Sequence, residues 1–185
     1  MASQTDSAHT ADRLLDAYSE LLIEGGEKAA TLDAVAARAG ISKGGLLYHY
    51  GSKDALTAGL IERLSHLVDE DVAAMAADAE GPVAFFIRTS TATATPFDVA
   101  YNATVTLAQS GDASAAAAIA STRARWHAAL LPEVGDPDAA TALIFMSDGL
   151  YLASASPETD PAFTRGSASD FAERMLAVAR RLIAQ

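Results

Sequence analysis

TLDAVAARAGISKGGLLYHYGSK, residues 31 to 53, is the stretch on which the reading of this chain turns. Leu32, Val35, Ala36 and Ala39 recur at i, i+3, i+4 and i+7, the apolar stripe of a short amphipathic helix. Thr31 stands where an N-cap is needed, and Asp33 in the first turn complements the helix dipole. Gly40 follows at the position where a left-handed residue ends a helix. Ile41 can then drop into a small core, and Ser42 can cap a second helix in which Leu46 and Tyr50, four apart, face inward. Lys43, Gly44, Leu47, Tyr48 and His49 are left for the outer face or its rim. Ser52 caps a third helix opened by Lys53 and Asp54. Two short helices joined by a tight glycine turn make a helix-turn-helix.

The outer face of that unit points to DNA. Gly44 and Gly45 each cost a helix interior roughly 1 kcal/mol against alanine. They make sense where backbone must come close to a partner, such as a phosphate at a helix N-terminus. No acidic residue lies between Asp33 and Asp54, while Arg38, Lys43 and Lys53 do, so the stretch carries +3 in a chain of net charge −11. Capping hydroxyls and lysines position a protein on the phosphate backbone, and few side chains remain to read bases. Lys43 is the long donor on the exposed face and the candidate for a guanine O6/N7 contact.

The same residues carry a family resemblance. AxxAGISKGGLLYHYGSKDAL resembles the N-terminal signature of the TetR family of bacterial regulators. Its elements are the AG-[IV]-S turn, the SKG that opens the recognition helix, the [YH]-H-[YF] that closes it, and the S-K-[DE]-x-L of the next helix. The resemblance covers about residues 10 to 65. It implies phosphate contacts from Thr31, Ser42, Tyr48, His49 and Lys53, with Lys43, Gly44 and Gly45 at base edges or the groove floor. Many members have an aromatic residue where this chain has Leu47, which leaves the contact at that position open.

Plainer readings stand beside these. Tyr48 and His49 could close a three-helix core, Lys53 could be a solvated lysine at a helix start, and a helix-turn-helix could serve protein contacts alone.

Composition sets the frame. Half of the 185 residues are hydrophobic, many of them alanine, and strand-like alternation is scarce, which predicts an all-α protein of about nine helices. Without cysteine there is no disulfide framework or thiolate metal site. The opening MASQTDSAHTAD has neither a basic nor an apolar segment of a signal peptide. No apolar run approaches the roughly 20 residues that span a bilayer, so a cytoplasmic bacterial protein without membrane partners is expected. Residues 1 to 66 hold six basic and nine acidic residues, a net of −3; residues 67 to 185 hold seven and fifteen, a net of −8, with no lysine. An acidic body repels non-specific DNA while a small basic face still binds, with strong salt dependence.

Along the chain we expect a disordered arm over residues 1–8, a helix-turn-helix domain over 9–55 and a ligand-binding and dimerisation domain over 56–185. The first helix runs from about Thr10 to Glu24 with Leu14, Leu15, Tyr18 and Leu22 inward, ended by Gly25-Gly26. A long helix from Ser52 to about Asp78 places Leu56, Leu60, Leu64 and Leu67 on one side. Shorter helices carry Val83, Phe86 and Ile87, and then Phe97 to Ser110. Another, from Asp112, stops at Pro132. Asp136-Pro137 is an N-cap and N1 pair for a helix over about 137–155, apolar nearly all round and so buried on more than one side. The last helix, about 168–184, has the stripe Phe171, Met175, Val178 and Leu182.

The resemblance implies that these last two helices form an intermolecular four-helix bundle in a homodimer, for which Leu143, Leu150, Phe171, Met175, Val178 and Leu182 are the candidates. A two-fold dimer would read a palindromic operator on double-stranded DNA. The alternative is that these helices are core within one chain. It also implies a small-molecule effector in the body, whose binding releases DNA and ends repression. Candidate lining residues are Phe86, Tyr101, Asn102, Trp126, Phe145, Met146, Asp148 and Tyr151, large apolar faces with a few polar tips. Residues of the kind of Trp126 and Phe145 are more often plain core than pocket lining. Asp148 interrupts the apolar run IFMSDGLYL, and its carboxylate must find a cationic ligand, an arginine such as Arg88, Arg123 or Arg125, or helix N–H groups. Such a partner would make the effector lipophilic or cationic.

An enzyme is the competing class. His9, His49, His66 and His127 are scattered, and no HExxH, GxSxG or phosphate loop is present. His66 with Asp69, Glu70 and Asp71 shares a helix face, but an acidic surface run explains it. No catalytic residue, cofactor or metal is expected. The alternative to the regulator is a helical small-molecule-binding or metal-binding protein, or an enzyme, without DNA binding.

Overall fold

The structure, a computed structural model, describes residues 4–154 and 166–184. Nine α-helices and no strand are found among them: α1 Gln4–Ala29, α2 Leu32–Ala39, α3 Lys43–His49, α4 Lys53–Ala77, α5 Pro82–Thr89, α6 Pro96–Gln109, α7 Ala113–Val134, α8 Pro137–Ser154 and α9 Ala168–Ile183. None is long and apolar enough to cross a membrane. Of the arm expected over residues 1–8, residues 1–3 lie outside the described residues and the rest are already helical.

The differences from the expected bounds have local causes. Gly26 does break helical geometry (φ 71, ψ −174), yet the chain resumes and completes one more turn to Ala29. Pro132 lies inside the last turn of α7 and forgoes one N–H bond there, yet the helix continues past it and ends at Gly135. There a left-handed φ of 74 and a bond from Gly135 N–H to Leu131 O close it.

The chain divides into two compact units, one taking residues up to Leu67 with Pro96–Ala120, the other Val68–Thr95 and the chain from Ser121 onward. The first is not bounded at residue 55, because α6 packs against α1 just as α2 does. Its core is Leu14, Leu15, Tyr18, Leu22, Val35, Ala36, Leu46, Leu56, Leu60 and Leu64, joined by Ala100, Ala103 and Leu107 of α6. Leu67 is half-buried, so α4 turns Val68 rather than Leu67 inward. At the centre the buried Tyr18 hydroxyl meets Thr57 Oγ1 at 2.9 Å, and burial raises the phenol's pKa. The Tyr50 ring lies on Gly59, where a Cβ would come within 2.8 Å of it. That close approach is why α4 carries a glycine mid-helix.

In the second unit α5 packs against α8 and α9, burying Val83, Phe86, Ile87, Leu143, Ile144, Leu150, Leu176 and Ala179. Gly81, the N-cap of α5, has no side chain to offer. Instead Glu133 from the end of α7 accepts the Val83 N–H at 2.9 Å. Glu133→Ala should therefore lower stability by about 1 kcal/mol, the usual cost of a lost cap, with its thermal midpoint as the readout.

Arg88 bridges Glu80 and Glu173, and Arg180 adds a second contact to Glu80 at 2.9 Å. Hydrogen bonds from Arg88 and then Arg180 hold the Glu80 carboxyl at about 2, below its ordinary 4.5. A carboxylate whose pKa is depressed on folding stabilises fully above its unfolded value, and the contribution fades as pH falls toward the folded one. The α5–α9 corner should lose stability between about pH 4.5 and 2. Glu80→Gln should flatten that acid limb, read as melting temperature against pH.

Candidate nucleic-acid interface

The local code of residues 31 to 53 is realised closely. The Thr31 hydroxyl accepts the Ala34 N–H and starts α2; Gly40, at φ 65, ends it. The Ser42 hydroxyl accepts the Gly45 N–H at 3.1 Å and starts α3, and Ser52 does the same for Ala55 at the start of α4. Each capping hydroxyl keeps its own proton to donate outward. Leu46 locks α3 onto the core and is fully buried. Arg13 adds a side-chain bond to the Ala39 carbonyl at the end of α2.

With Leu46 inward, α3 turns the other residues out. Tyr48 is 83% exposed and Leu47 43%. A phenol left so open has no packing reason to be there, which disposes of a core role for Tyr48. His49 is half-buried, its ring edge-on to Tyr48 at 5.1 Å between centroids. A Cβ at Gly44 would stand in open space, so this residue keeps the outer face flat for a close partner. Gly45 differs from Gly44. A Cβ there would meet Ile41 Cγ2 at 2.9 Å, so the residue is needed for closing the turn from inside.

The cations of this face are all held by neighbours. Lys43 Nζ lies 2.8 Å from Asp33 Oδ1. Lys53 Nζ donates to the Glu27 carbonyl at 2.7 Å and to its carboxylate at 3.2 Å. Arg38 is gripped by Glu20 and Glu24, which hold its already high pKa higher still. These partners lie 10 to 26 residues away on other helices, and only the fold pairs them.

The body residues are dispersed by comparison. Tyr101 and Asn102 sit half-buried on α6 in the first unit, Tyr101 stacked on Phe97 at 5.9 Å and Asn102 bonded to the Asp98 carbonyl. In the second unit Phe86 and Trp126 meet edge to face at 5.3 Å, both buried. Trp126 Nε1 donates to Asp71 at 2.8 Å, and Arg125 pairs with Asp69, so the acidic run of α4 serves α7. Asp148 meets Arg123, one of the three arginines considered, whose guanidinium also lies 5.9 Å from the Phe145 ring centroid. Met146 and Tyr151 are half-buried on α8.

Two interface candidates are redirected. Leu143 and Leu150 face the core of their own chain, so they cannot form an outward stripe. The exposed line of α8 is Ala142, Phe145, Gly149 and Leu152, with Phe145 63% and Leu152 73% exposed. Phe145, expected in a pocket or core, belongs to that line. Phe171, Met175 and Val178 of α9 are half-buried and Leu182 is exposed.

Residues 14–60 match the family model of bacterial regulatory proteins, tetR family. No curated protein matches. The whole fold is similar to the multidrug binding protein EbrR, solved with malachite green, at TM-score 0.69 and 22% identity over 93% of this chain and 96% of that one. It is also similar to GusR of Salmonella enterica, at TM-score 0.70 and 18% identity over 100% and 99%. A third likeness is to NalD, the secondary repressor of the MexAB-OprM multidrug efflux pump in Pseudomonas aeruginosa, at 0.69 and 17% over 96% and 97%. At these identities the likenesses speak for the fold.

Proposed function

We propose that this chain, whose residues 14–60 match the family model of bacterial regulatory proteins, tetR family, is a cytoplasmic repressor of that family. It would bind a palindromic operator as a homodimer and leave it when a small molecule binds the body. DNA binding in transcription regulation is the family's property; operator symmetry, repression, dimerisation and the effector are the further steps. The observation that carries the reading is the outer face of α3. Tyr48 stands free in solvent beside the open Gly44, with Lys43 and the caps Thr31 and Ser42 around it. A face so polar, flat and unpacked suits a phosphate-lined groove.

On DNA, Thr31, Ser42, Tyr48, His49 and Lys53 would hold phosphates, and Lys43 would reach a guanine edge, with Leu47 against the groove wall. The first experiment is binding to DNA from just upstream of the protein's own gene, compared with scrambled duplex at fixed salt. Tight, palindrome-dependent binding supports the reading; equal affinity for both duplexes, with ligand-stripped protein and genome-wide fragments as well, overturns it. Tyr48→Ala and Lys43→Ala should each weaken operator binding by about 1–3 kcal/mol without lowering the melting temperature, since both side chains are exposed. Unchanged affinity in both would displace the recognition helix from the groove.

The effector is proposed to be a lipophilic or cationic small molecule bound by the second unit around Phe86, Trp126, Met146 and Tyr151. The multidrug binding protein EbrR and the repressor NalD share this fold, which supports that reading. A cationic effector would have to take Asp148 from Arg123, so Asp148→Asn should weaken it and leave operator affinity intact.

A further inference from the structure

We infer that Asp33 and Glu27 are built-in counter-charges that set the selectivity of the reading head, occupying Lys43 and Lys53 until operator contacts replace them. The inference rests on the DNA-binding reading. Lys43 Nζ is 2.8 Å from Asp33 Oδ1, with both side chains more than half exposed, and Lys53 Nζ is 3.2 Å from Glu27 Oε1. Arg38 is held in the same way by Glu20 and Glu24, so each cation between Asp33 and Asp54 has a carboxylate on α1 or α2 as its partner.

Exposed pairs of this kind are weak and open easily. Their consequence appears at the polyanion. When Lys43 turns to a phosphate it exchanges one anion for another, and the Asp33 carboxylate is left beside the DNA's own negative charge. On arbitrary sequence that exchange gains nothing, so Lys43 stays with Asp33 and adds little to binding. At an operator guanine, O6 and N7 stand side by side in the major groove, where a docked α3 brings Lys43 to them in addition to the surrounding phosphate contacts, and Lys43 leaves the pair. The acidic partner thus withholds the lysine from arbitrary duplex and not from the operator, so its removal should help the arbitrary duplex more. Lys53 differs in one respect: its 2.7 Å bond to the Glu27 carbonyl survives loss of the carboxylate, so Glu27 should matter less than Asp33.

The test titrates wild type, Asp33→Asn, Glu27→Gln and Glu70→Gln against the operator duplex and a scrambled one at several salt concentrations. Glu70 is exposed on α4 in the second unit and controls for the unit change in net charge. Asp33→Asn should tighten scrambled-duplex binding about three- to tenfold at low salt, and operator binding less, so that the ratio between them falls. Glu27→Gln should show a smaller shift in the same direction. The gain should shrink as salt rises, because a charge is what has been removed. In an Asp33→Asn, Lys43→Ala double variant it should vanish.

If Asp33→Asn behaves like Glu70→Gln, or tightens both duplexes equally, the selectivity role is overturned while DNA binding stands. If wild type itself prefers neither duplex, the DNA-binding reading fails and this inference with it. Melting temperatures within a degree or two of wild type confirm that each variant is folded.

Discussion

Replacing Phe145 and Leu152 together by aspartate is expected to give a folded monomer that has lost operator affinity by at least about a hundredfold. Both residues lie on the exposed line of α8, 63% and 73% open, so neither substitution disturbs the chain's own core. Ala142 and Gly149 alternate with them along that line, and a Cβ at Gly149 would stand in open space. Small residues between large ones give holes and knobs, which a facing helix at the same spacing can fill. Isolated exposed apolar residues are ordinary, but a continuous line of them along a helix marks a contact surface. Two aspartates facing their symmetry mates would repel and desolvate together, and each half-site would then be bound by a single reading head. Sedimentation gives the oligomeric state and titration of the palindrome the affinity. A double variant that remains dimeric would remove α8 from the interface.

Leu46→Ala should cost about 2–5 kcal/mol, the range for truncating a fully buried leucine. It is the one side chain by which α3, seven residues long, is anchored to the core of the first unit. A helix so short has no stability of its own and exists through packing. The loss should therefore fall on the reading head first, as increased amide exchange over residues 31 to 53, and DNA binding should fail at temperatures where far-UV dichroism is still largely native. An affinity equal to wild type would mean that the caps Ser42 and Tyr50 suffice to hold α3 without Leu46.

The helix-turn-helix was legible because its code is local. Caps, an apolar stripe and a terminating glycine lie within a few residues of what they govern, and Thr31, Gly40 and Ser42 do what their positions predict. The orientation of α8 was not legible. A helix apolar nearly all round has no preferred inward face, and only packing against α5 and α9 turns Leu143 and Leu150 in and Phe145 and Leu152 out. The partners of Lys43, Lys53 and Asp148 were equally hidden, since ion pairs across helices depend on how the helices pack. The difference between Gly44 and Gly45 is hidden for a related reason. Two adjacent glycines look alike in a sequence, yet one faces open space and the other the Ile41 side chain.

Trp126 is the single tryptophan of the chain, enclosed against Phe86 with its indole N–H on Asp71. Intrinsic emission excited at the red edge therefore comes from one known place in the second unit. The molecule carries its own optical reporter: a blue-shifted band while the indole is enclosed, and a red shift when that enclosure opens. Any compound that settles beside Phe86 should quench or shift this band with no label attached. A collection of molecules can then be sorted by fluorescence alone, before the sequence of the operator is known.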